Sequence, residues 1–110
     1  MLKVTQMPDG LGNWMPGALQ QSDTIYAVVL VAGTSQQIPL PAGANAIVFA
    51  ASGGSDFYML LANSVIAVPV ANNVAGTAPE LNPLVRSCTG KTYVSLISPV
   101  SCVITMAFYS

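Results

Sequence analysis

From residue 25 onward the apolar positions either alternate with polar ones or run without interruption, and no stretch repeats with the 3.6-residue period of a helix. IYAVVLVA (25–32) is continuously apolar and predicts a strand buried on both faces. TSQQIPLP (34–41) alternates weakly, with Pro39 and Pro41 marking an edge or a strand end. After a turn at PAGAN (41–45), AIVFAA (46–51) and DFYMLLA (56–62) flank Ser-Gly-Gly-Ser. That pattern predicts a hairpin in which Gly53 and Gly54 supply positive φ. SVIAVPV (64–70) reads as a further strand, and ANNVAGTAPELNP (71–83) as a long connection with at most one helical turn near 79–84. LVRSC (84–88) and KTYVSLIS (91–98) flank Thr89-Gly90, a short hairpin signal. CVITMAFY (102–109) alternates cleanly: Cys102, Ile104, Met106 and Phe108 share one face, and Val103, Thr105, Ala107 and Tyr109 the other.

About eight short strands at spacings near ten residues predict an all-β fold, an antiparallel β-sandwich over residues 25–110. Eight strands favour a jelly-roll arrangement, with an immunoglobulin-like sandwich as the alternative. Residues 1–24 differ: MPDGLGNWMPGALQQSD holds Pro8, Gly10, Gly12, Pro16 and Gly17 with no period, and predicts an irregular N-terminal arm. The arm also carries Leu11, Trp14, Met15 and Leu19. An arm with the chain's one Trp is expected to lie against something, either its own core or a partner.

Charge sharpens this picture. Only 6% of the residues are charged, namely Lys3, Asp9, Asp23, Asp56, Glu80, Arg86 and Lys91, while 53% are apolar. A folded monomer of this mass exposes about 5,700 Å². Each charge then serves ~800 Å², about one partner's footprint in a standard interface. A freely diffusing protein ordinarily carries a mixed, well-charged surface. Two resolutions stand: other subunits cover much of the exterior, or that exterior is polar without being charged. The net charge of −1 gives no basic footprint for nucleic acid or anionic membrane. MLKVTQMPDGLGNW lacks the apolar centre of a secretory signal. In residues 57–79, Asn63, Asn72, Asn73 and Pro69 break up the apolar run well short of the ~20 residues of a spanning helix.

Candidate chemistry is sparse. The chain has no histidine, which removes the commonest general base and metal ligand together. Asp9, Asp23, Asp56 and Glu80 fall in separate loops or strand ends, with no spacing that sets two of them across a cleft. GLGNWMPG (10–17) has the wrong glycine spacing for a phosphate loop. Cys88 and Cys102 flank one strand and approach each other only if strands 84–88 and 102–109 are neighbours; without an export signal, two buried thiols are expected. The aromatic residues sit within strands, where packing is their default role. The expectation is a protein that is not an enzyme, with no catalytic residue, cofactor or metal.

IPLPAGANAIVFAASGGSDFYML, then ELNPLVRS, and finally the closing SCVITMAFYS together resemble small structural proteins of tailed-bacteriophage virions. Within that group the resemblance, which covers residues 36–110, is to capsid decoration (cement) proteins of jelly-roll or related β-sandwich fold. It implies a homotrimer on the outer surface of the capsid, made in the host cytoplasm and bound to several copies of the major capsid protein. The arm is outside the resemblance, and the residues expected to anchor it on a shell are Leu11, Trp14 and Met15. Two other roles remain open: a tail-tip or fibre module binding a glycan or receptor through the 71–83 loop, and a neck or tail-completion protein.

Overall fold

The computed structural model describes residues 1–3 and 20–110. Within them lie eight strands: β1 (Ile25–Leu30), β2 (Gln36–Pro39), β3 (Ala46–Ala51), β4 (Tyr58–Leu60), β5 (Glu80–Leu81), β6 (Val85–Ser87), β7 (Tyr93–Ile97) and β8 (Cys102–Tyr109). They form two antiparallel four-stranded sheets, ordered β1-β8-β3-β6 and β2-β7-β4-β5. Pairings of β1 with β8, β2 with β7, β3 with β6 and β4 with β5 nest inside one another. The chain therefore behaves as one long hairpin, doubled back at residues 61–79 and then rolled into a sandwich. Rolling adds the β3–β8 and β4–β7 ladders. This is the jelly roll.

The alternation along β8 is realised up to its last residue: Cys102, Ile104, Met106 and Phe108 are buried, Val103, Thr105 and Ala107 are half-buried on the other side, and Tyr109 on that side is buried beside Gln20. The inner rows of the first sheet meet Met59, Val94 and Leu96 of the second in a single core cluster. Tyr26 meets Phe108 edge-on, ring centroids 4.8 Å apart at 66°. Phe108 is fully buried, so its truncation to Ala is expected to cost about 3–5 kcal/mol.

Several local expectations are corrected. Segments 46–51 and 56–62 form no hairpin, because β3 and β4 belong to different sheets. Gly53 and Gly54 do take positive φ (65° and 68°), but in a short 3-10 turn that carries the chain across the sandwich. The strand beside β3 is instead β8. Thr89-Gly90 likewise turns the chain between sheets, with the Lys91 N–H donating to the Cys88 carbonyl. Segment 64–70 is not a strand: its Ser64 and Ile66 N–H groups donate to the Ser95 and Ser35 hydroxyls rather than to a ladder, and Pro69 has no N–H to give. In place of a helical turn near 79–84 stands the two-residue strand β5, ended by Asn82 at φ 47°.

Both flanks of residues 4–19 are tied to the C-terminal end of β8. The Ser22 hydroxyl donates to the Phe108 carbonyl (2.6 Å), and the Phe108 N–H to the Thr24 carbonyl (2.9 Å). The Tyr109 hydroxyl donates to the Gln20 carbonyl, and the Ser110 N–H to the Leu2 carbonyl. Leu11, Trp14 and Met15 lie outside the described residues.

Candidate interaction surface

The two outer faces of the sandwich are finished differently. On the β2-β7-β4-β5 sheet, Ser95 and Ile97 alternate with the core residues Val94 and Leu96, so they point outward, yet both are buried. Residues 62–64 of the connector cover Ser95. The Ser95 hydroxyl lies within hydrogen-bond distance of the Ala62 and Ser64 carbonyls (2.7 and 2.6 Å) and accepts the Ser64 N–H. Ile66 of the same connector is buried outside the central core cluster. A hydroxyl at the centre of an outward row thus fastens a loop over its sheet.

The outer face of the β1-β8-β3-β6 sheet is covered by described residues only at the C-terminal end of β8, where Tyr109, in the outward row with Ala46 and Ser87, is buried and donates its hydroxyl to the Gln20 carbonyl; the rows beyond it have no such cover among the described residues. Register places Ile25, Ala107, Val48 and Val85 in one row across all four strands. Ala27, Thr105 and Ala50 form a second row, and Val29 with Val103 a third. The Thr105 hydroxyl is the sole polar side-chain group in these rows. Val29 is 66% exposed, Val85 47% and Ile25 43%, and Val31, next outward along the chain, 58%. A sheet with one face in water ordinarily shows polar residues there. Here the outward rows are nearly as apolar as the inward ones. The continuous run at 25–32 signalled this, since it predicted burial on both faces; the structure supplies only one of them.

The described ionisable side chains belong to none of these rows. Arg86 faces the sandwich interior at the edge, level with Ile47, and its guanidinium grips the Glu80 carboxylate (Nε to Oε1 2.8 Å). Because β5 and β6 are edge strands of opposite sheets, this ion pair spans the open side of the sandwich. The Arg86 hydrogen bond holds the Glu80 carboxyl below its usual range. Asp56 accepts from the Asn82 amide (2.8 Å), and Asp23 pairs with the amino terminus (3.6 Å). Every described carboxylate is thereby engaged in fastening the fold. Among the described residues, no group of three or more Cys, Asp or Glu is placed to hold a metal ion.

The two thiols are free and buried, and burial pushes the Cys88 thiol up. The Cys88 N–H donates to Asn45, whose own N–H donates to Tyr109, which places Cys88 at the far end of β8 from Cys102. Roughly 24 Å of strand separates them, far beyond disulfide reach. A cavity of about 580 Å³ lies along the connector, walled by Leu60, Ile66, Val68 and Pro69 with Asn73 and Thr77. Among the described residues, no aromatic or ionisable side chain lines it.

Fold and surface together define a jelly-roll sandwich with its connector fastened over one outer face at Ser95 and, among the described residues, a largely uncovered, apolar and uncharged set of rows on the other. No protein-family model, curated protein or solved structure matches the chain.

Proposed function

We propose that this protein is a structural component of a virion, a capsid decoration protein that binds the major capsid protein lattice as a homotrimer and stabilises the head. The open face of the β1-β8-β3-β6 sheet carries the homotrimer in this reading, and the arm residues Leu11, Trp14 and Met15 the contact with the shell. Its apolar rows offer nothing that binds or transforms a small substrate, and their removal from water is worth about 25 cal/mol per Å². A protein acting this way performs no reaction; it adds contacts between neighbouring shell subunits, all of which must break before the shell bursts. Three-fold presentation lets individually modest contacts act together, because docking of one protomer raises the effective concentration of the others. The jelly roll and the resemblance over residues 36–110 favour the same role. The glycan-binding alternative finds less support: all seven described Tyr and Phe residues are buried or half-buried, and none lines the connector cavity.

The test is reconstitution on heads purified from phage lacking this chain. Purified protein is expected to co-sediment with them, to saturate at multiples of three, and to raise the temperature at which they release DNA. Replacing Leu11, Trp14 and Met15 together with Ala is expected to abolish co-sedimentation while the sandwich stays folded. Heads that neither bind the protein nor gain stability overturn the reading.

A further inference from the structure

We infer that the open face of the β1-β8-β3-β6 sheet is the seam between copies of this chain, packed about a three-fold axis; the three-fold symmetry rests on the decoration-protein reading. Charge is the first argument for a second copy as the occupant. The three rows Ile25–Ala107–Val48–Val85, Ala27–Thr105–Ala50 and Val29–Val103 contain no ionisable group. Opposing this face with itself therefore desolvates no charge, whereas a partner of ordinary surface composition would bury charges with nothing here to pair them.

Size is the second argument. Four strands at about 4.8 Å spacing, some six residues long, make a face of roughly 19 Å by 20 Å, or ~400 Å² in projection. That is about half of one partner's share in a standard interface before side-chain relief is counted. Val31 and Val100, 58% and 48% exposed, enlarge it at one end. Three faces about 19 Å wide, set as the sides of a triangular prism, stand ~5.5 Å from the axis, close to half the ~10 Å spacing of packed sheets. One layer of side chains per face fills that interior. In the three rows the central strands supply Val103, Thr105, Ala107, Val48 and Ala50, all small enough for it, while the larger Tyr109 beyond them is already buried beside Gln20. At the corner, β6 is only three residues long and leaves room for the neighbouring edge.

The experiment compares native mass spectra of the full-length chain with those of Val29→Lys, Val85→Lys and the control Val74→Lys, whose site on the connector is 95% exposed. Wild type and Val74→Lys are expected to be trimeric at about 10 µM, where mass action still favours the oligomer. Each face variant is expected to lose at least ten-fold in trimer population, with the β-sheet circular dichroism of wild type retained. As an independent reading, a short bis-maleimide, which joins two thiols, should link Thr105→Cys into covalent dimers within the trimer. A trimer that persists in folded face variants, or a Thr105→Cys trimer that fails to cross-link, overturns the seam and leaves the capsid reading standing. A monomeric wild type overturns both the seam and the trimer, and failure to bind heads by a protein whose seam is confirmed overturns the capsid reading alone.

Discussion

Replacing Ser95 with Ala tests how the sealed face is held. Ser95 is completely buried at the centre of β7, and its single hydroxyl proton serves either the Ala62 or the Ser64 carbonyl, at 2.7 and 2.6 Å. Its oxygen also accepts the Ser64 N–H at 3.4 Å, a long bond that adds little. Alanine keeps the packing volume nearly constant, so the loss is the hydrogen bond rather than a cavity. A neutral bond is worth a net ~1 kcal/mol, rising to about 3 kcal/mol where the abandoned group stays dry. Ala62 is half-buried and Ser64 exposed, so water reaches part of what is left, and we expect about 1–2 kcal/mol. At roughly 4–8 °C per kcal/mol for a domain of about this size, the melting temperature falls by some 5–15 °C. Amide exchange should quicken at residues 62–66 ahead of the strands, because the connector loses its fastening first. Exposed Ser87, whose hydroxyl only reaches neighbouring Thr89 at 3.3 Å, serves as the control and should leave both readings unchanged on substitution by Ala. A Ser95→Ala protein that melts with wild type and exchanges identically at 62–66 would refute the reasoning.

Three further outcomes follow from the geometry. The Arg86 bond lowers the folded pKa of Glu80 below its ordinary 4.5, so the stabilisation is complete above that value and fades as pH falls through the lowered one. Both partners are exposed, so the effect is small; acid titration of thermal stability should show it in wild type and lose it in Arg86→Ala. Cys88 and Cys102 should resist iodoacetamide in the native state and react together in denaturant, with no disulfide in either condition; native labelling of either thiol contradicts their placement. Asn82 stands at φ 47°, accepts the Phe57 N–H at 2.9 Å and donates to Asp56. Asn82→Ala loses both bonds and keeps the strain, so chemical denaturation should show a loss of about 1–3 kcal/mol, with Asn82→Gly less affected.

Periodicity made much of the sandwich legible. The faces of β8 and the limits of β3 follow directly from alternation and from the turns that bound them. What periodicity does not specify is the sheet a strand enters after a turn. Gly53-Gly54 and Thr89-Gly90 announce reversals, yet both lead across the sandwich, because in a rolled hairpin β3 lies beside β8, far along the chain. Segment 64–70 misleads for another reason: its apolar side chains bury Ile66 and wall the connector cavity rather than join a ladder. The candidate surface was half visible. The run at 25–32 demanded burial on two sides, and the low charge implied a covered exterior. Which rows those demands fell on depended on the β1–β8–β3 register, which no local pattern encodes.

The most direct measurement is sedimentation velocity on the purified full-length chain over a wide dilution series. An apolar, uncharged face that serves assembly predicts a discrete oligomer that persists on dilution to low micromolar concentration. A single species of 11.3 kDa at the highest concentration attainable, soluble and indifferent to added heads, would contradict it.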